Sequence, residues 1–151
     1  MGVALLSAKR SKDPNTQVGA CIVNNQQKIV GTWYNGLPNG CSDDEFPWSK
    51  TGAFLETKYP FVCHAELNAI LNNIGMSLKG CKIYTALFPC NECTKAIIQS
   101  GISEVVYLSD KYENTDAAKA SKMMLHKSGV QIRKVNSSFN QLTVSFNHDD
   151  V

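Results

Sequence analysis

Two short segments of this chain hold residue types that can bind a metal and move a proton. They are His64-Ala65-Glu66 and Pro89-Cys90-Asn91-Glu92-Cys93, and each falls where a helical pattern begins. Cys90 and Cys93 are three residues apart, so on one helix they face the same way and can bind one ion. A helix N-terminus also favours the thiolate that metals require. His64 supplies a third ligand from a second helix start. A His, Cys, Cys set leaves one position of a tetrahedral zinc ion for water, which is a catalytic layout. A structural site would be closed by a fourth Cys or His, and none lies at the usual spacing. Glu66 sits two residues from the histidine, close enough to shuttle a proton without being a ligand. Two thiolates formally cancel the charge of zinc, and the two helix N-termini restore part of the positive potential.

The elements that position these residues can be read from the hydrophobic pattern. Residues 2–10 predict a helix that Pro14 ends. Residues 18–23 predict a buried strand, 24–27 a hairpin turn and 28–34 the return strand. A long polar stretch from Asn35 to Tyr59 follows, and connections of that length inside a domain are usually functional. Leu67, Ile70, Leu71 and Ile74 then mark one face of a helix closed by Gly75. Further strands are expected over 82–87, 105–109 and 130–135. Helices over 90–100 and 115–127 lie between them, the second with Ala117, Ala120 and Met124 inward. Leu142, Val144 and Phe146 alternate like a last short strand. Alternating strands and helices predict a three-layer α/β/α domain in which sites gather at strand ends and helix starts.

Composition bounds the answer further. At 151 residues the chain has the size of a single domain, 1–151, and can bury a core without disulfides. Lys and Arg number 15 against 13 Asp and Glu, a net charge of +2, which argues against a polycationic nucleic-acid binder. No apolar run approaches the roughly 20 residues that cross a bilayer. The start shows no targeting pattern, which predicts a cytoplasmic protein with possible access to the nucleus. Of the other cysteines, Cys21, Cys63 and Cys81 read as packing and Cys41 as a free thiol in the long loop. His126 and His148 read as surface. Trp33 reads as core, whereas Phe88, beside Pro89-Cys90, is the best aromatic to line a pocket.

The pairing of H-x-E with P-C-x-x-C resembles the signature of the zinc deaminases. The resemblance extends to Lys9-Arg10-Ser11-Lys12-Asp13-Pro14, Val18-Gly19-Ala20, Tyr34 to Gly40, Tyr59-Pro60, Cys63 to Ile70, Leu87 to Cys93 and Ser109-Asp110-Lys111-Tyr112. Over about residues 3–135 the chain is similar to the eukaryotic deoxycytidylate deaminases. That family implies a cytidine-deaminase-like fold with a mixed five-stranded sheet, and conversion of dCMP to dUMP and ammonia for thymidylate synthesis. It implies one Zn2+ on His64, Cys90 and Cys93, with Glu66 as proton shuttle. It also implies a homohexamer activated by dCTP and inhibited by dTTP. By the same resemblance Asn35 hydrogen-bonds the sugar, and Ala65, Phe88, Lys111 and Tyr112 are candidates for substrate contact. Arg10, Ser11, Lys12, Gly36, Asn39 and Gly40 are candidates for phosphate or effector contact. Relatives usually carry several residues before the position of Met1, which would make the first helix short here. The acidic run Asp43-Asp44-Glu45 reads as a solvated loop, with Mg2+ on a triphosphate effector as a second use. Three other functions compete: a polynucleotide-editing deaminase, a free-nucleoside deaminase, and a zinc-stabilised binding module without activity.

Overall fold

The computed structural model describes residues 1–73, 75–136, 141 and 143. Helix α1 is Gly2–Ala8. Strands β1 (Gly19–Val23) and β2 (Ile29–Tyr34) form a hairpin, followed by the long loop with one 3-10 turn at Phe54–Glu56. Helix α2 is Ala65–Leu71, strand β3 is Lys82–Leu87 and helix α3 is Asn91–Gln99. Strand β4 (Glu104–Ser109), helix α4 (Asp116–Ser128) and strand β5 (Gln131–Lys134) complete it.

The five strands make one mixed sheet in the order β2-β1-β3-β4-β5. β1 is antiparallel to both β2 and β3, while β3, β4 and β5 run parallel. The parallel half follows from its connections, since a parallel pair needs a crossover and α3 and α4 supply two. Two glycines show how the helices are divided between the faces. A Cβ on Gly19 would fall 1.9 Å from the Ala4 carbonyl oxygen of α1, and one on Gly31 would fall 2.7 Å from the Ala69 carbonyl oxygen of α2. Gly31 pairs with Ile22, three residues from Gly19, so alternation places the two contacts on opposite faces. α1 therefore covers one face and α2 the other, with α3 beside α2 and α4 beside α3. This is the expected three-layer arrangement. Ala20, Ile22, Ile83, Ile97, Val105 and Leu125 fill its core.

Three local expectations change. The inward face of α4 is Ala118, Ser121 and Leu125, one position on from the predicted stripe. Ser121 is buried because its hydroxyl donates to the Pro89 carbonyl at 2.9 Å, a partner that hydrophobicity alone does not reveal. α2 stops at Leu71, which is 69% exposed, because the Asn73 side chain accepts from the Gly75 and Met76 amides and turns the chain. Trp33 is 38% exposed and stacks on Tyr34, since β2 is an edge strand. The strand expected at Leu142, Val144 and Phe146 lies outside the described residues.

Candidate active site

Two helix starts meet at the C-terminal side of the hairpin and β3. His64 is the N-cap of α2 and Cys90 the N-cap of α3, both with extended backbone. Cys93 follows on the first turn of α3 and is buried. His64 Nδ1 lies 3.4 Å from Cys90 Sγ and 3.5 Å from Cys93 Sγ. The three donor atoms all lie within 4.8 Å of one another. A tetrahedral zinc ion with ordinary Zn–S and Zn–N lengths needs N···S separations of about 3.5 Å. The donor set thus fits zinc in both chemistry and spacing.

The protonation of these groups is strongly skewed. A hydrogen bond from the Cys93 thiol, opposed by burial and helped by His64, pushes the Cys90 thiol down to about 3. The bond to the Cys90 sulfur pushes His64 up to about 9. Donation to Cys90, together with burial, holds the Cys93 thiol well above its ordinary value. Glu66, on the first turn of α2, is 4% exposed. Burial raises its pKa and outweighs the pull of His64. Thr85 Oγ1 donates to Glu66 Oε1 at 3.4 Å, which steadies the carboxyl from β3.

A cavity of about 480 Å³ opens over this group, a volume suited to a nucleotide-sized ligand. Among the sequence-predicted residues, Asn35, His64, Ala65, Glu66, Phe88, Cys90, Lys111 and Tyr112 line it. Phe88 packs edge-on against Tyr107 with ring centroids 5.0 Å apart, and Lys111 lies over the Tyr112 ring. Arg10, Ser11, Lys12, Gly36, Asn39 and Gly40 are not among the lining residues. Ser11 is buried and donates to the Asn35 carbonyl at 2.8 Å, so its hydroxyl is committed to the protein. Lys12 pairs with Asp43 at 2.6 Å, and Arg10 lies over the Tyr34 ring. Gly36 exchanges backbone hydrogen bonds with Cys63, the neighbour of His64. Asn35 is also heavily engaged. Its Oδ1 accepts from the Val18 amide at 2.8 Å, while its Nδ2 donates to the Thr16 carbonyl and to Asp13.

Sequence reasoning missed Asp13, Lys50 and Lys58 on the cavity wall. Lys58 and Asp13 form an ion pair whose side chains are 9% and 1% exposed. The available signal was weak: Asp13 lies inside the Lys9-to-Pro14 segment and Lys58 directly before Tyr59-Pro60, and their meeting depends on the loop's path. Among the described residues, His64, Cys90 and Cys93 are the one group of His, Cys, Asp or Glu placed to hold a metal. The run at 43–45 gathers no such group, and Mg2+ has no support there.

Residues 1–109 match the family described as the cytidine and deoxycytidylate deaminase zinc-binding region. The chain belongs to this family. A deoxycytidylate deaminase of Homo sapiens is 57% identical over 147 residues, covering 97% of this chain and 83% of the relative. A probable deoxycytidylate deaminase of Drosophila melanogaster is 55% identical over 152 residues, covering 97% and 75%. Among solved structures, a dCMP deaminase from the cyanophage S-TIM5 in complex with dCMP and dUMP has a TM-score of 0.68 at 28% identity. It covers 89% of this chain and 92% of that one. A zinc-binding family fits the candidate donor set of His64, Cys90 and Cys93.

Proposed function

We propose that this chain is a zinc-dependent deaminase that hydrolyses dCMP to dUMP and ammonia. The observation that carries the proposal is the buried Glu66 carboxyl beside the His64, Cys90 and Cys93 donor set, on the floor of a nucleotide-sized cavity. The names of the relatives, one of them solved with dCMP and dUMP, point to the same substrate.

His64, Cys90 and Cys93 would hold a zinc ion, which would supply Lewis acidity and lower the pKa of a bound water. Glu66 takes the proton of the attacking water and places it on the ring nitrogen as oxygen adds to the amino-bearing carbon. Glu66 then carries a second proton to the amine, the C–N bond breaks and ammonia leaves. The raised pKa of Glu66 favours its holding the proton between the two transfers. Phe88 and Ala65, the latter at the start of α2, line the cavity where the base would sit. The second lone pair of Asn35 Oδ1 can accept from a sugar hydroxyl. At the cavity wall Lys50 and Lys111 are exposed cations placed to meet the 5′-phosphate.

Regulation by dCTP and dTTP belongs to the same proposal, through the loop from Gly36 to Gly40 and Asn39 within it. Its support is local: Asn35 precedes the loop directly, Gly36 is tied to Cys63, and Gly40 has φ +88°. A homohexamer in the cytoplasm, with access to the nucleus, completes the reading. Phe54 and Leu55, 71% and 69% exposed, are apolar surface that other copies could cover. Among the described residues no helix is long and apolar enough to cross a membrane.

Ammonia release from dCMP, deoxycytidine and a cytosine oligonucleotide tests the assignment. Release from dCMP far above the other two is expected. Equal rates with deoxycytidine would reassign the chain to nucleosides, preference for the oligonucleotide would make it an editing enzyme, and no release at all would leave a binding module.

A further inference from the structure

Asn35 at the start of the long loop and Lys58 near its end both donate to one atom. Asn35 Nδ2 reaches Asp13 Oδ2 at 3.2 Å, and the Lys58 ammonium pairs with the same oxygen. The other carboxylate oxygen accepts from the Asn15 amide at 2.8 Å and the Thr16 amide at 3.1 Å. All three side chains are buried. The segment around Asp13 holds the loop at two further points: Lys12 pairs with Asp43, and Asn15 Nδ2 donates to the Trp48 carbonyl at 2.8 Å. The Lys9-to-Pro14 motif thus serves the protein's own loop, which is why Ser11 and Lys12 do not face the cavity.

We propose that Asp13 is a clamp at the base of the 36–57 loop, and that Lys58 is a positioning residue acting through it on Asn35. Asp13 Oδ2 fixes one proton of the Asn35 amide, and the Thr16 carbonyl fixes the other. The amide therefore cannot flip, and its oxygen is held where the Val18 amide uses one lone pair and leaves the second for a ligand. Without the Lys58 charge, Asp13 keeps a buried negative charge with weaker compensation. The carboxylate then draws in water or turns, and Asn35 loses its fixed orientation. Lys58 affects the sugar contact without touching the reacting atoms. This deepens the proposed function and rests on its reading of Asn35.

The clamp is tested with Lys58→Met, which keeps the length of the side chain and removes its charge. Amide hydrogen exchange needs no substrate. Faster exchange is expected at Asn15, Thr16, Val18 and Gly36, with β4 amides and zinc content unchanged as the sign of a preserved fold. Unchanged exchange at those four positions overturns the clamp, whatever the chain acts on. The action on Asn35 is read from KM and kcat for dCMP and for its 2′,3′-dideoxy analogue, which lacks the sugar hydroxyl. In the unmodified chain the analogue should have the higher KM by about threefold to tenfold, the range set by one neutral hydrogen bond. Lys58→Met should raise KM for dCMP until the two substrates are level, with kcat nearly unchanged. Equal losses on both substrates would show general loosening and overturn the positioning role. So would a preserved ratio. If Lys58→Met does not fold, Lys58→Gln keeps a donor without charge and should shift both readings in the same direction by less; no shift there overturns the proposal. Failure of the unmodified chain to deaminate dCMP would overturn the proposed function, while the exchange result would still decide the clamp.

Discussion

At the residue scale, the proposed chemistry is divided between one carboxyl and three donors. Glu66 lies beside the donor set but is not part of it, so binding and turnover separate in a single substitution. Glu66→Gln should keep the zinc, measured by metal analysis, and lose about 10²–10⁴-fold in ammonia release because an amide cannot carry the proton. Loss of zinc, or near-normal turnover, would show that the carboxyl has another task. Lys50 and Lys111 set a second separation. Both are exposed at the cavity, and neither is in an ion pair among the described residues. If they meet the phosphate, Lys111→Ala and Lys50→Ala should each lower kcat/KM for dCMP by about tenfold, as expected of a charge-assisted bond. Deoxycytidine should be unaffected. Equal losses on nucleotide and nucleoside would move the phosphate elsewhere.

At the element scale, the site depends on how the loop and the first segment are joined. Burial alone would raise the Asp13 carboxyl, but the Lys58 ammonium and the Asn15 and Thr16 amides outweigh it and hold the group below its ordinary value. A carboxylate with a lowered folded pKa contributes stability above its unfolded value, about 3.9, and loses it as pH falls through the folded one. Urea unfolding should therefore show stability falling below about pH 4, with part of that slope absent in Asp13→Asn. At pH 7 that variant should be less stable by about 3–5 kcal/mol, because Lys58 is left buried without its partner. An unchanged midpoint would mean that solvent reaches the pair. Gly40 belongs to the same element. Its φ of +88° is one that β-branched residues rarely adopt, while a Cβ there would meet nothing within 4 Å. Gly40→Val should thus alter the loop without a clash. If the proposed regulation acts through this loop, the variant should abolish any response of dCMP saturation curves to dCTP and dTTP and leave effector-free turnover intact; a preserved response would place the effector site elsewhere.

At the scale of the whole molecule, the sheet brings together residues far apart in sequence. Glu66 lies on α2, its neighbour Thr85 on β3, and the two sulfurs at the start of α3. Ser121 of α4 donates to the Pro89 carbonyl and shares a hydroxyl hydrogen bond with Thr94 of α3, so a fourth element braces the turn that carries Cys90. α1 is fitted to β1 without spare room. A Cβ on Gly19 would meet the Ala4 carbonyl oxygen at 1.9 Å and the Ala8 amide nitrogen at 2.7 Å, both backbone atoms that cannot swing away. Gly19→Ala should therefore cost about 1–3 kcal/mol in thermal unfolding as α1 is forced off the sheet. A variant as stable as the unmodified chain would show that α1 slides freely on β1.

Each half of the candidate zinc-ligand set was legible in the sequence because it is local, and the resemblance to the zinc-deaminase signature joined the two halves. His64 and Glu66, and Cys90 and Cys93, are each fixed by spacing on one helix start, and the alternation of strands and helices then requires a sheet between them. The hairpin and the three parallel strands were legible for the same reason, since hydrophobic period and turn residues are short-range signals. The long loop was not. Whether Ser11 faces a phosphate or the Asn35 carbonyl, and whether Lys58 is a surface lysine or the partner of Asp13, depends on contacts across 24 and 45 residues. No periodicity encodes such contacts. The buried face of α4 eluded the pattern for a related reason: Ser121 is polar, and only its partners Pro89 and Thr94 make it an interior residue. Local spacing decided which atoms can do the chemistry. Tertiary structure decided which charges surround them, because burying a charge is tolerated only where a distant partner arrives to meet it.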